Sequence, residues 1–170
     1  MSFEDVREFH EIFGHPVRTT GATADQSEIS LDLLRLRLGL IAEEFFELLE
    51  ASYGDEAAQA MAEAWKALPE NQPDFKETPE NSLKRDIVEI ADALGDLKYV
   101  ENGMALALGI PLPKVEEEIQ RSNLSKLGED GKPIISDGTD VYPLGKILKG
   151  PNYSEPDVAS VLEANKISEN

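Results

Sequence analysis

The chain contains no cysteine and only two histidines among 170 residues. Disulfides and thiolate zinc sites are therefore excluded. Softer transition metals, which favour sulfur or paired imidazoles, are disfavoured for the same reason. Basic residues are scarce as well, 16 against 34 acidic ones, leaving a formal net charge of −18. Such a surface repels polyanions and lacks the basic footprint of a duplex binder. No stretch reaches the roughly 18 apolar residues of a membrane span. The start, Met1-Ser-Phe-Glu-Asp-Val6, shows no basic region followed by an apolar run, so no signal peptide is expected. The expectation is a cytoplasmic protein that binds neither nucleic acid nor membrane.

What the chain does have is helical periodicity. Phe3, Val6, Phe9, Ile12 and Phe13 predict a short helix ended by Gly14-His15-Pro16. His10 and His15 have no ligand-spaced partner, so each is assigned a structural or solvent role. Residues 14–28 are polar and predict a loop. Ser30 is placed to cap a long helix to about Ser52, apolar on most sides from Leu31 to Ile41 apart from Asp32, Arg35 and Arg37. A helix apolar nearly all round belongs in a core or an oligomer interface.

Gly54 should break that helix. A short amphipathic helix with Trp65 is expected over Glu56–Leu68, then an extended loop over 69–79 with three prolines. A second long helix is expected from Asn81 or Ser82 to about Gly109, and a third from Pro113 to about Leu124. The Gly-, Pro- and Lys-rich stretch 128–153 predicts an irregular loop or a hairpin around Asp137-Gly138. Pro156–Ala164 predicts a last short helix. Nothing alternates well enough to build a sheet. The expected fold is all-α, an antiparallel helical bundle in one domain, with a core at about 30–126, an insertion at 54–80 and a tail at 127–170.

Two acidic clusters interrupt the apolar helical stretches: Glu43, Glu44, Glu47 and Glu50 on the first long helix, and Glu89, Asp92 and Asp96 on the second. At 100° per residue the first set spans roughly a third of the helix circumference, opposite Leu34, Leu38, Ile41, Phe45, Leu48 and Leu49. Carboxylates three and four residues apart are neighbours and repel unless a cation neutralises them. A hard cation such as Mg²⁺ takes oxygen ligands and shares its shell with water and phosphates. The competing reading is a pair of solvated faces with Lys84 and Arg85 as ion-pair partners. The flanking Phe45, Phe46, Ile90 and Leu97 argue against full exposure.

Cationic and amide side chains concentrate in Arg121-Ser-Asn123-Leu-Ser-Lys126 and in Lys146-Ile-Leu-Lys149-Gly-Pro-Asn152-Tyr153. Lysine binds phosphate as a point charge, and asparagine can read a base or ribose edge. The glycines do not form a Walker-type loop. Phe46, Trp65, Tyr99 and Tyr153 are the aromatic side chains available for stacking.

On these motifs the sequence resembles the all-α nucleoside triphosphate pyrophosphohydrolases, which include MazG-like proteins and phosphoribosyl-ATP pyrophosphohydrolases. Their pattern is Glu-x-x-Glu on one helix and Glu-x-x-Asp on the next. Glu44-Phe-Phe-Glu47 fits the first half, with Glu43 just before it. The second half falls in Asp92-Ala-Leu-Gly-Asp96-Leu-Lys-Tyr99-Val, where Ala93 stands three residues before Asp96. Glu89-Ile-Ala-Asp92 fits literally one turn earlier. The Asp96 register suits the following residues and the spacing to Asn123, while Glu89 stays open as an alternative ligand.

The resemblance implies hydrolysis of a nucleoside triphosphate to monophosphate and pyrophosphate with Mg²⁺, or Mn²⁺ in its place. It implies Glu44, Glu47, Asp92 and Asp96 as metal ligands and Glu43 as the residue that orients or deprotonates water. It implies Asn123, Lys126, Lys149, Asn152 and Tyr99 as substrate contacts, and a homodimer or homotetramer. The rival expectations are phosphoribosyl-ATP hydrolysis, a nucleotide-binding module that has lost catalysis, and a helical interaction protein with a solvated acidic face.

Overall fold

A computed structural model describes residues 2–17, 30–72, 74–76, 78, 86–139, 141–142 and 145–165. The described residues form α-helices α1 (Phe3–Phe13), α2 (Leu31–Tyr53), α3 (Asp55–Lys66), α4 (Ile87–Leu108), α5 (Leu112–Leu124) and α6 (Val158–Ala164). A single turn of 3₁₀-helix follows α3 at Pro69–Asn71. The all-α expectation holds: the described β structure is one isolated antiparallel bridge, Ile135 to Ile147. The expected caps at Asn81 or Ser82, and Lys84 and Arg85, lie outside the described residues.

The helix ends follow local chemistry. Ser2 caps α1 through a capping box with Asp5, and Gly14 closes it in the left-handed region at φ 70°. The Ser30 hydroxyl accepts the Leu33 amide at 3.1 Å and starts α2 where the sequence places the cap. Gly54, at φ 92°, separates α2 from α3. The loop expected after α3 begins with the 3₁₀ turn because Pro69 supplies a preset φ for its first position.

The chain divides into two compact units, Thr20–Ile90 and a second made of Met1–Thr19 with Ala91–Asn170. In the first, α3 packs against α2. Arg35 on α2 ties the connection after α3 in place. Its guanidinium donates to the carbonyls of Glu70, Gln72 and Phe75 and stands 5.6 Å from the Phe75 ring centroid. Sequence inspection marks Arg35 only as an interruption of an apolar run. Its one local partner is Asp32, at 3.5 Å, whereas the three carbonyls lie 35 or more residues away and leave no local spacing signal.

In the second unit, α5 packs against α1 and α6. Gln120 donates to the Asp5 carbonyl at 3.0 Å, and Lys98 on α4 reaches Glu116 on α5 at 2.6 Å. Phe13 is buried and stacks on Phe9, with centroids 4.1 Å apart. His10 Nδ1 lies 3.1 Å from the Pro16 carbonyl, and the His10 and His15 rings are 5.2 Å apart. Both histidines are half-buried in local contacts at the end of α1.

The described core is small: Phe13, Ala42, Ala58, Ala105 and Val115 are its buried apolar residues. Large side chains on α2 (Leu36, Leu38, Leu40, Ile41, Phe45, Leu48) and α4 (Val88, Leu94, Leu97, Val100, Leu106) are exposed. Burying one such side chain fully is worth about 1.5–3 kcal/mol, so this is a large unrealised driving force.

Replacing Ser30 with alanine should lower unfolding free energy by about 1 kcal/mol, measured by urea denaturation, because the Leu33 amide loses its acceptor.

Candidate active site

Helix α2 carries Glu43, Glu44 and Glu47 exposed, and helix α4 carries Glu89, Asp92 and Asp96 exposed. Helix geometry puts Glu43 beside Glu47 and Asp92 beside Asp96, one turn apart in each case. Among the described residues no ion pair or hydrogen bond engages any of these side chains. The apolar flanks cover them only in part: Phe45 and Leu97 are themselves about half exposed, at 47% and 50%, whereas Phe46 and Ile90 are half-buried. Acidic and apolar side chains face outward together on both helices.

The α2 stripe lies in the first unit, and Asp92 and Asp96 in the second. Among the described residues no group of three metal-ligating side chains stands ready-gathered. The donor chemistry nevertheless fits a hard divalent cation. Every candidate is a carboxylate, none is neutralised by a described cation, and each helix offers two at one-turn spacing. Glu47 and Glu50 also line a cleft of about 470 Å³ with Ala51 and Asp55, where α2 meets α3.

The cationic and amide candidates sit at the far end of α5. Lys126 Nζ donates to Asn123 Oδ1 at 2.8 Å. The Gly150 amide donates to the Lys126 carbonyl at 3.0 Å, which brings the two cationic runs side by side. Lys149 stands 4.2 Å from the Tyr153 ring centroid and 3.7 Å from a Glu155 oxygen. Asn152 is exposed in the turn between them. Tyr99 is 78% exposed on α4, and among the described residues no hydrogen bond links it to this cluster.

A clasp that the motifs do not announce holds the two runs together. The buried Ser122 hydroxyl donates to the Ser154 carbonyl at 2.8 Å, and the Ser154 amide donates to Ser125 Oγ at 3.0 Å. Arg121 grips Glu118 through two 2.7 Å bonds, and Glu118 also accepts the Asp157 amide at 2.8 Å. Asp157 in turn caps α6 by accepting the Ser160 amide at 3.0 Å. The Arg121 guanidinium first, and the Asp157 amide second, hold the Glu118 carboxyl at about 2. The i, i+3 spacing of Glu118 and Arg121 is a local signal for half of this clasp. Ser154 and Asp157 carry none. Gly150 is buried against the Leu127 carbonyl, and a Cβ there would collide with it.

The described site thus consists of exposed paired carboxylates on two helices of an all-α chain and a clasped lysine and amide cluster at the end of α5. Residues 6–123 match the phosphoribosyl-ATP pyrophosphohydrolase family. The chain belongs to that family and is a pyrophosphohydrolase. The fold is similar to the crystal structure of a protein from Exiguobacterium sp. 255-15 assigned as an NTP pyrophosphohydrolase. The two align with a TM-score of 0.65 and 28% identity over 95% of this chain and 91% of that one. No curated protein sequence matches the chain. Among the described residues no helix is long and apolar enough to cross a membrane.

Two outcomes follow from the clasp. Gly150→Ala should destabilise the docked tail by about 1–3 kcal/mol, the usual scale of overpacking, read as faster amide exchange over 149–157. The folded Glu118 pKa lies below the ordinary 4.5, so its contribution is complete above that value and lost as pH falls through about 2. Amide exchange at Asp157 should therefore stay slow from neutral pH down to about pH 4.5 and accelerate below it, once intrinsic exchange is corrected for. In Glu118→Gln it should be fast throughout.

Proposed function

We propose that the protein hydrolyses a nucleoside triphosphate between its α- and β-phosphates, releasing the monophosphate and pyrophosphate, and that it does so with Mg²⁺. The observation that carries this is the unneutralised acidic stripe on each of two long helices in a chain of this family. Glu44 and Glu47 from α2, with Asp92 and Asp96 from α4, would hold the metal, and Glu89 is the alternative one turn from Asp92. The bound ion would neutralise triphosphate charge and acidify a coordinated water. Glu43, one turn before Glu47, would orient that water and take its proton.

Lys126 and Lys149 supply positive charge to the phosphates, and Asn123 and Asn152 offer amides to phosphate, ribose or base. The Glu118–Arg121 clasp holds these four residues in register. Tyr99, exposed on α4, offers a ring face to the same substrate. Clearance of surplus or non-canonical nucleotides is the role this chemistry suits. The whole chain works as one catalytic domain in this reading, with residues 54–80 as an insertion. Phosphoribosyl-ATP is the second substrate reading, favoured by the family match itself.

Exposed apolar side chains on α2 and α4 support assembly as a homodimer or homotetramer through those helices. Such an interface would realise the burial that the described core leaves unmade.

Pyrophosphate release from a panel of nucleoside triphosphates and phosphoribosyl-ATP, with Mg²⁺ or with EDTA, tests the reaction. Metal-dependent pyrophosphate is expected, and orthophosphate would contradict the cleavage site. Glu47→Gln should lower turnover by roughly 100-fold or more, the scale of a lost transition-state contact. A surface role alone would leave turnover unchanged and stability within about 0.5 kcal/mol.

A further inference from the structure

Helices α2 and α3 and the turn after α3 line an open cleft of about 600 Å³, with Arg35, Gly39, Glu43, Phe46, Trp65 and Asn71 among its walls. That volume lies within the ~300–1,000 Å³ range of small-molecule sites. Its walls are fixed in advance. Arg35 holds the carbonyls of Glu70, Gln72 and Phe75. The Asn71 amide nitrogen donates to the Trp65 carbonyl at 2.9 Å, and the Gln72 amide nitrogen donates to the Lys66 carbonyl. Both side-chain amides are thereby oriented, with their oxygens left to accept.

Gly39 forms part of the α2 wall. It sits in the middle of α2, where glycine is less stable than alanine. A Cβ at this position would meet nothing within 4 Å. The α2 backbone is therefore open to the cavity at this position. Phe46 and Trp65, both half-buried, give the cavity aromatic walls. Glu43 belongs to both the cavity and the acidic stripe. Gly39, Glu43 and Glu47 follow one another at one-turn spacing along α2, each about 40° further round. A planar ring above Gly39 would thus lie one to two turns from the carboxylates.

We propose that this cavity is the nucleobase pocket of the enzyme, selective for bases that present an exocyclic amino group to the oxygens of Asn71 and Gln72. The proposal rests on the nucleotide reading given above. Trp65 and Phe46 flank the ring, Gly39 gives it room, and Glu43 marks the side on which the phosphates leave.

Trp65 is the sole tryptophan, so its emission reports the cavity directly. Titration of the full chain with unphosphorylated cytidine, uridine, guanosine and inosine, without metal, separates base binding from catalysis. Saturable quenching is expected, with cytidine ahead of uridine and guanosine ahead of inosine. Gly39→Leu, which fills the cavity from α2, should weaken it about tenfold or more and raise KM for the preferred triphosphate more than it lowers kcat. Ala62→Leu, from the α3 wall, should do the same. Absence of quenching, or quenching and KM indifferent to both variants, would overturn the pocket. Metal-dependent pyrophosphate release would in that case still uphold the hydrolase. Equal affinity for cytidine and uridine, and for guanosine and inosine, would overturn the amino selectivity. Quenching by nucleosides in a protein that releases no pyrophosphate would overturn the hydrolase reading and keep a base-binding cavity.

Discussion

Like charges packed one turn apart along α2 are the constraint on which the rest of the molecule depends. Glu43, Glu44, Glu47 and Glu50 fall within eight residues, and no described cation answers them. Helical neighbours of the same sign destabilise a helix, so this arrangement is not what stability alone would favour. The cost is carried by what surrounds it: the Ser30 cap, the packing of α3, and the Arg35 bonds to the following turn. The same helix therefore combines a stabilised scaffold with an electrostatically strained face. That combination suits a group which must meet a cation and a polyphosphate.

A different economy governs the other end. Lysines attract polyphosphate without help, but two lysines from segments more than 20 residues apart need a frame. The frame is built from neutral and paired groups: Ser122 and Ser125 on Ser154, Glu118 on Arg121 and Asp157, and a glycine where the backbones touch. Its one charge-assisted, two-pronged contact is Glu118 with Arg121, and the serine bonds are neutral hydrogen bonds. Together they hold the segments that carry Lys126 and Lys149 side by side, while Asn152 stays exposed.

Helix positions and the family motifs were legible because they are local. Ser30, Gly14, Gly54 and the periodic apolar residues mark ends and faces within a few residues of themselves. The carboxylate stripes are equally local, being fixed by 3.6-residue geometry. Arg35 was not legible as a cross-tie, nor Ser154 as a clasp partner, because their partners are 35 and 32 residues away. Flanking apolar residues suggested sheltered carboxylates. In the fold Phe45 and Leu97 are themselves exposed while Phe46 and Ile90 are half-buried, since α2 and α4 offer more apolar surface than the described residues cover. The cavity beside Gly39 was invisible for a related reason: α3 belongs to a stretch that reads from its sequence as an insertion.

The central proposal is that a divalent cation relieves the repulsion on α2, with Asp96 of α4 among its ligands. Thermal unfolding with and without Mg²⁺, in wild type, Glu47→Gln and Asp96→Asn, tests it most directly. The account predicts that Mg²⁺ raises the wild-type Tm, as preferential binding to the folded state requires. It predicts that either substitution removes most of that rise, and that Glu47→Gln has the higher Tm when metal is absent. A Mg²⁺ effect that survives both substitutions, or no effect in wild type, would contradict it.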